Sequence, residues 1–298
     1  MDVFAESSLH FHYGAHLNPD ISILIVNYNT CAMLRECLEA IPAATKDFSY
    51  AIFVWDNASS DGSVEMIREG FPEVRLVESR SNLGFARANN RLMEMTDPNY
   101  YLLLNPDTIP RPGSISELKR FLDSHSDAGA CGPMLLHPDG SLQTNGGDFP
   151  AIRDDYYSLF AGRTARMRRK RDDYNTICEV DQVSGACLMV KNEVVRNVGG
   201  MNEIFFLFSE EVEWCHRIKK AGYKVFYVPE AKVVHHWMGS VRKDSRRMAR
   251  QYLKSRFLYY RLTGGWAYAA LALPALALGL IKSELLHIGS SVKRALRS

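Results

Sequence analysis

The chain carries no C-x-x-C pair and no Cys/His quartet, although it holds six cysteines, Cys31, Cys37, Cys131, Cys178, Cys187 and Cys215. Without that spacing no zinc or disulfide framework is expected, and the thiols read as buried groups in a reducing compartment. No G-x-x-x-x-G-K-[ST] phosphate loop is present, which removes P-loop chemistry. No Ser/His/Asp or Cys/His arrangement stands out, so nothing calls for a covalent intermediate. Net charge is only +2, too little for a polyanion binder. The basic runs also lack aromatics interleaved on a sheet, so no nucleic acid partner is expected. The start, MDVFAESSLHFHYGAH, has neither a basic region nor an apolar core; no signal peptide is expected, and the main part is read as cytoplasmic. His10, His12 and His16 lie in that tail without nearby acids, and no metal is expected there. There is no internal repeat and no low-complexity tract.

What the chain does have is apolar residue enough, 46% of 298 positions, to bury a full core. Its length suits one large α/β domain plus an appendage, or two small domains. Ile21 to Val26 is a continuous apolar run with β-branched residues, the pattern of a strand buried on both faces. Asn29 and Thr30 are placed to cap a helix through Leu34 and Leu38, which Pro42 is expected to end. Ala51 to Trp55, Val74 to Val77 and Tyr101 to Leu104 read as further strands. Helices are expected near Val64 to Glu69, Gly84 to Met95 and Pro112 to His125. Repeated strand–helix units predict a mostly parallel sheet with helices on both faces. Such sheets take ligands at the carboxyl ends of their strands, and Asn27, Asp56 and Asp107 each follow such an end. Beyond Ala130 the pattern is mixed. Cys131 to Pro133 predicts a strand before a tight turn at His137 to Gly140, and Val183 to Val190 another strand. Lys224 to Val228 and Lys232 to His236 read as a pair of strands.

The stretch Gly199 to Arg217, GGMNEIFFLFSEEVEWCHR, concentrates acids where an apolar run gives way to a helix. Adjacent carboxylates raise each other's pKa, which leaves one able to take a proton near neutral pH. Acids in a first helical turn also stabilise the helix through its macrodipole, so these residues alone leave both readings open.

Basic clusters lie at Arg163 to Arg171, expected to be a loop, and at Arg242 to Arg256. The ordinary reading is a solvated face, and the sharper one is attraction to an anionic membrane or to phosphates. From Leu262 to Ile281 there is no charged residue, a length near the ~20 residues that span a bilayer. Pro274 and three glycines disfavour a straight span. Arg256 and Arg261 before it, with Lys282, Lys293 and Arg294 after, fit a helix lying in or dipping into the cytoplasmic leaflet. A soluble, buried helix pair is the alternative.

Taken in order, the motifs resemble those of the family 2 glycosyltransferases of the GT-A fold, in particular their rhamnosyltransferase-like bacterial branch. They are Val26-Asn27-Tyr28-Asn29, Asp56-Asn57-Ala58-Ser59-Ser60-Asp61-Gly62-Ser63, Asn82-Leu83-Gly84-Phe85-Ala86 with Asn89-Asn90, and Leu104-Asn105-Pro106-Asp107. Gly132-Pro133, Asp139-Gly140-Ser141, Ser184-Gly185-Ala186, the Gly199 to Arg217 block and Val234-His235-His236 with Gly239-Ser240 follow. The resemblance spans roughly Asp20 to Val241. It implies a tail over 1–19, a GT-A domain over 20–244 and a helical, membrane-associated region over 245–298.

By resemblance, Asn27, Tyr28, Asn29 and Asp56 hold the nucleotide, while Asn82, Gly84, Asn89 and Gly185 shape the nucleotide-sugar pocket. Asn105-Pro106-Asp107 stands for the family's shortened D-x-D element, with Asp107 binding Mg2+ or Mn2+. His235 or His236 is the second contact to metal or diphosphate. Glu210-Glu211 occupies the position of the family's Glu-Asp pair, so Glu211 is the implied catalytic base. The chain departs from the family pattern at Glu211, which replaces aspartate, and at Met201 and Asn202, which replace phenylalanine and an acid. The implied reaction is an inverting transfer from a nucleotide-sugar, deoxythymidine-diphosphate rhamnose by branch, to a hydroxyl of a lipid-linked saccharide in cell-surface polysaccharide synthesis. Its place is the cytoplasmic face of the plasma membrane. The alternatives are a UDP-sugar transferase acting on a soluble glycan or protein, and a catalytically silent nucleotide-sugar sensor.

Overall fold

The computed structural model describes residues 18–161, 174–237 and 245–295. The histidines of the tail, the Arg163 to Arg171 run and Gly239-Ser240 therefore lie outside the described residues. The first strands form where expected: β1 (Ile21–Asn27), β2 (Tyr50–Asp56), β3 (Arg75–Glu78) and β4 (Tyr100–Leu104). They are parallel, in the order β3-β2-β1-β4. Between them run α1 (Cys31–Ala44), α2 (Ser63–Gly70) and α3 (Phe85–Met93). After β4 come a short β5 (Thr108–Pro110), α4 (Ser114–Ser124), β6 (Ala128–Leu136) and β7 (Leu142–Gln143). The chain continues through α5 (Ile152–Ala161), β8 (Cys178–Val180), β9 (Cys187–Lys191), α6 (Asn192–Val198), α7 (Glu210–Lys220) and β10 (Lys224–His235). It ends in α8 (Ser245–Ala295), which Gly265 breaks with φ 79 and ψ 179.

The sheet continues past β4 as β9-β6-β10-β5. β9 is antiparallel to both β4 and β6, whereas β6 and β10 are parallel. Period-2 alternation sends successive side chains to opposite faces. Ile21, Ile23 and Ile25 of β1, with Leu102 and Leu104 of β4, pack under α1 and α4. Leu24, Phe53, Leu103 and Leu188 point the other way, to Ala86, Leu92, Trp214 and Ile218. Each such fully buried side chain contributes about 1.5–3 kcal/mol. A third cluster joins Phe205 and Val212 to Leu258, Tyr259 and Tyr260 of α8.

Four local expectations are corrected. Helix α1 continues past Pro42 to Ala44, with Thr45 N–H donating to Ile41 O at 3.0 Å. Proline in the last turn sacrifices one helical hydrogen bond, which the final turn tolerates. Thr30 turns its hydroxyl to Asn27 Oδ1 (2.6 Å), and Asp61 from the neighbouring loop accepts from Cys31 N–H at 2.8 Å, so α1 is capped from outside. Burial raises the Asp61 pKa, but hydrogen bonds from Ser63 and Cys31 outweigh it and hold the carboxyl below its ordinary value. Lys224 to His235 is one strand, not two. Its register jumps from Val228–Pro133 to Lys232–Met134, so Pro229 sits in a bulge where its missing N–H breaks no ladder. Strand β9 starts only at Cys187, because Gly185 and Ala186 form a turn.

The Gly199-Gly200 turn is clamped by α7. Arg217 donates through Nη1 to Val198 O and through Nη2 to Gly200 O, both at 2.6 Å, while Glu213 holds its Nε at 2.9 Å. Glu213 is buried, so this acid is structural. Truncation of Arg217 to alanine would orphan two carbonyls and a buried carboxylate. Arg217→Ala is expected to cost about 3–5 kcal/mol in urea unfolding. A loss below about 1 kcal/mol would show the clamp to be surface decoration.

Candidate active site

Topology gathers the implied residues at one edge of the sheet. In parallel register Asn27 lies beside Asp56, at the ends of β1 and β2. Chain order reverses between β1 and β4, the place where open α/β sheets take ligands. Because β9 is antiparallel to β4, its beginning meets the end of β4: Cys187 pairs with Leu104, and Asn105 N–H donates to Ala186 O at 2.9 Å. The end of β10 arrives at the same edge, where His235 pairs with Thr108 and His236 N–H donates to Asp107 O at 2.9 Å.

Two loops interlock at the β1–β2 end. Asn27 Nδ2 donates to Asp56 Oδ1 (2.8 Å) and Ser59 Oγ (3.1 Å), and Ser59 N–H donates to Asp56 Oδ2 (2.8 Å). Asn29 Oδ1 accepts from Ser60 N–H at 2.8 Å. Asn27 and Asp56 are buried and engaged with each other, whereas Tyr28 is 41% exposed at the opening. Asn57, whose Asn57-Ala58-Ser59 matches a glycosylation acceptor, is buried and spans to the next loop, accepting from Leu83 N–H and donating to Gly84 O.

Gly84 is held by its neighbours. Asn82 Oδ1 accepts from its N–H at 2.9 Å, its φ is +83°, and a Cβ there would lie 2.3 Å from Phe206 O. Only glycine fits that approach. The contact continues as Phe85 N–H donating to Phe206 O at 2.8 Å, which ties the start of α3 to the loop before α7. Asn89 is buried one turn on, donating to Phe85 O, and its Oδ1 has no hydrogen-bond partner among the described residues.

At the start of α7 the two glutamates differ. Glu210 is buried, and its Oε2 has no hydrogen-bond partner among the described residues. Burial, then the charge of Glu211, pushes the Glu210 carboxyl well above the ordinary carboxylate range. Glu211 is half-buried, and its own pKa is raised by burial. The backbone dipoles of Glu211, Val212 and Gly185 oppose that rise. Gly185 is packed so closely that an added Cβ would lie 3.3 Å from Phe85 and 3.5 Å from the Glu211 Cβ. Both carboxyls of the pair are therefore pushed up, the fully buried Glu210 well above the ordinary carboxylate range.

At the far side His235 Nε2 lies 3.4 Å from Asp107 Oδ1. Gln143 Oε1 accepts from Nδ1 at 2.7 Å, so Nε2 is the ring nitrogen turned toward Asp107. An imidazole nitrogen and a carboxylate oxygen thus lie side by side at the end of β10. One carboxylate and one imidazole fit a divalent ion that draws its remaining ligands from diphosphate and water. No cluster of three or more metal-binding side chains occurs among the described residues. His236 Nε2 instead lies 4.0 Å from a Glu36 carboxylate oxygen and has no hydrogen-bond partner among the described residues.

Two features escaped sequence reasoning. Gln143, from a two-residue strand, holds His235 Nδ1, and Asn145 ties the Ser184 turn by accepting from its N–H at 2.8 Å. Neither carries a local signal. Non-glycine residues with positive φ also gather here: Asn29, Ala58, Phe208, Ser209 and Trp237. Such backbone costs about 1–3 kcal/mol per residue and persists where the surroundings hold it.

The arrangement defines a mixed α/β protein of the GT-A type. Solved structures agree on the fold. A mannosyltransferase from Pyrobaculum calidifontis, in complex with GDP-mannose and Mn2+, matches 92% of this chain and 80% of its own at 17% identity and TM-score 0.57. GalNAc-T7 with UDP, GalNAc and Mn2+ matches 83% of this chain and 48% of its own at 13% identity and TM-score 0.59. The family model for glycosyl transferase family 2 matches residues 22–199, and the chain belongs to that family. Its relatives include the N-acetylglucosaminyl-diphospho-decaprenol L-rhamnosyltransferase of Mycobacterium tuberculosis, 30% identical over 83% of this chain and 86% of the relative. Rhamnosyltransferase WbbL of Escherichia coli is 25% identical over 80% of this chain and 92% of the relative.

The raised Glu210 pKa has a signed consequence. The native state holds a proton that the unfolded chain has released, so stability falls as pH rises from the ordinary 4.5 toward the folded value. Glu210→Gln removes that titration while keeping the volume. The variant is expected to melt above the parent at alkaline pH, with the gap closing near about pH 4. A gap that does not change with pH would refute the neutral Glu210.

Proposed function

We propose that this glycosyltransferase moves a sugar, rhamnose from its deoxythymidine-diphosphate donor, onto a hydroxyl of a polyprenyl-diphosphate-linked saccharide with inversion at the anomeric carbon. The single observation that carries the reading is the convergence of Asp107–His235 and the Gly185–Glu211 contact around the Asn105–Ala186 hydrogen bond. The choice of rhamnose is supported by the names of the two rhamnosyltransferase relatives, and that of a lipid-linked acceptor by the name of the mycobacterial one.

In this reading Tyr28, Asn29 and the loop braced by Asn27 and Asp56 receive the nucleotide. Asn82, Gly84, Asn89, Asn105 and Gly185 shape the sugar pocket. Asp107 and His235, with His236 next in sequence, would hold a divalent cation, Mg2+ or Mn2+, and such an ion would supply positive charge to offset that on the departing diphosphate. Support for the metal comes from the facing imidazole and carboxylate and from the Mn2+ named in the two structural neighbours. The acceptor hydroxyl attacks the anomeric carbon as the nucleoside diphosphate leaves from the opposite face. Glu211 removes the hydroxyl proton, and burial, by raising its pKa, makes its carboxylate the stronger base. Glu210, protonated, adds no second charge beside it.

We assign the transferase unit to residues 20–244 and a membrane-associated region to 245–298, at the cytoplasmic face of the plasma membrane. A helix over Arg246–Lys282 is long and apolar enough for membrane contact.

Glu211→Gln is expected to lower kcat about 10²–10⁴-fold while donor binding is kept. An unchanged rate removes Glu211 as the base. Asp107→Asn is expected to abolish the metal dependence of nucleotide binding in calorimetry, and metal-independent binding by the parent would refute the cation site. The deciding assay offers deoxythymidine-diphosphate rhamnose and UDP-linked N-acetylglucosamine, galactose and glucose, each with a purified lipid-linked saccharide and, separately, with a soluble glycan. Nucleoside diphosphate release only from a UDP-sugar, or only onto soluble glycans, overturns the donor or acceptor assignment.

A further inference from the structure

The uncharged run Leu262 to Ile281 lies within α8, and the break at Gly265 turns that element into two helices packed on each other. Leu258, Tyr259 and Tyr260 of the first meet Ala269, Ala272 and Leu276 of the second. Both helices are tied to α5. The Tyr260 hydroxyl donates to Asp155, and Arg256 Nε lies 3.6 Å from the same carboxylate. Lys282, beyond the run, donates to Leu159 O at 2.8 Å, and the Tyr156 hydroxyl donates to Leu271 O at 3.2 Å in its middle. A span needs about 20 residues clear of the water-soluble body. Here both ends and the middle of the run return to one short helix. The run cannot cross a bilayer without tearing those contacts.

The same packing leaves an outer face. Trp266 is 69% exposed and Leu271 65%, with Leu273, Leu278 and Ile281 beside them. No charged side chain interrupts it between Leu262 and Ile281. Its rim is basic, with the Arg261 guanidinium 5.1 Å above the Trp266 ring and Lys282 at the far end. Two copies meeting face to face would bring like charges together, whereas an anionic lipid surface complements both the rim and the face.

We propose that this helical hairpin docks in the plane of an anionic leaflet, its outer face seated at the headgroup–acyl boundary and neither helix crossing. The inference rests on the reading that the acceptor is lipid-linked, and it adds how the site is presented to that acceptor. Ser255 Oγ donates to Leu207 O at 2.7 Å, and Phe205 and Val212 pack into the hairpin. The docking face and the loop leading to Glu211 therefore move as one body, which sets the active-site edge at a fixed height above the lipid.

The test uses the full chain, vesicles of phosphatidylcholine with or without phosphatidylglycerol, and the variant Leu271→Glu/Leu273→Glu/Leu278→Glu. The parent is expected to float with anionic vesicles, to be released by alkaline carbonate, and to show Trp266 quenching by lipids brominated near the headgroup. The variant is expected to float at least about tenfold less. It should keep the parent's melting temperature and its rate on a short-chain, water-soluble acceptor. Carbonate-resistant parent would overturn the proposal in favour of a crossing helix. A parent dimer that the variant dissociates would overturn it in favour of a second copy. A variant that floats like the parent would show that another surface docks, while leaving the lipid-linked acceptor intact. A parent that floats as expected yet transfers to no lipid-linked acceptor would sink the acceptor reading and leave the docking face standing.

Discussion

The site depends on one reversal in the sheet. Strand β9 enters antiparallel between β4 and β6, so the turn preceding it, Ser184 to Ala186, arrives beside Asn105 to Asp107. A parallel strand at that position would deliver its start to the opposite edge. The hydrogen bond from Asn105 N–H to Ala186 O, and the pairing of Leu104 with Cys187, hold the register. Gly185, placed by that turn, then packs against Glu211, where an added Cβ would lie 3.5 Å from the Glu211 Cβ. One backbone constraint thereby links the strand-end acid Asp107 to a glutamate more than a hundred residues further along the chain.

The edge is expensive to maintain. A buried glutamic acid with an oxygen left unpartnered, several non-glycine residues in the left-handed region, and a glycine pressed against a carbonyl all oppose folding. The surrounding sheet holds them, because its two faces are packed by separate apolar clusters and its central strands are buried. Loop-to-loop hydrogen bonds do the rest: Asn27 with Asp56, Asn57 with Leu83 and Gly84, Phe206 with Phe85. Charge is handled in the same way. Glu213 is neutralised by Arg217, and Asp61 by hydrogen bonds from Ser63 and Cys31, which leaves Glu210 and Glu211 as the pair whose carboxyl groups are pushed up.

Much of the first half was legible because its signals are local. β-Branched apolar runs such as Ile21 to Val26 have few alternatives to a buried strand, and the polar residues that end them fall at the ligand edge by topology alone. The misreadings came where tertiary context outweighed a local rule. Pro42 did not stop α1 because it lies in the last turn, and Pro229 did not split β10 because a bulge absorbs it. Thr30 did not cap α1 because Asn27 claimed its hydroxyl and Asp61 supplied the cap. Gln143 and Asn145 carried no pattern, since their importance comes from partners ninety-two and thirty-nine positions away.

Residue type and order by themselves indicated the fold class and, through resemblance of the ordered motifs, the glycosyltransferase family, because buried-strand periodicity and motifs are properties of neighbouring residues. Which of two adjacent glutamates is the more deeply buried, which histidine faces Asp107, and whether an uncharged twenty-residue run is threaded or folded back were decided only in three dimensions. Each of those depends on burial and on contacts made across the sheet or between distant helices, and the dielectric and geometry around a side chain do not exist until the chain has closed on itself.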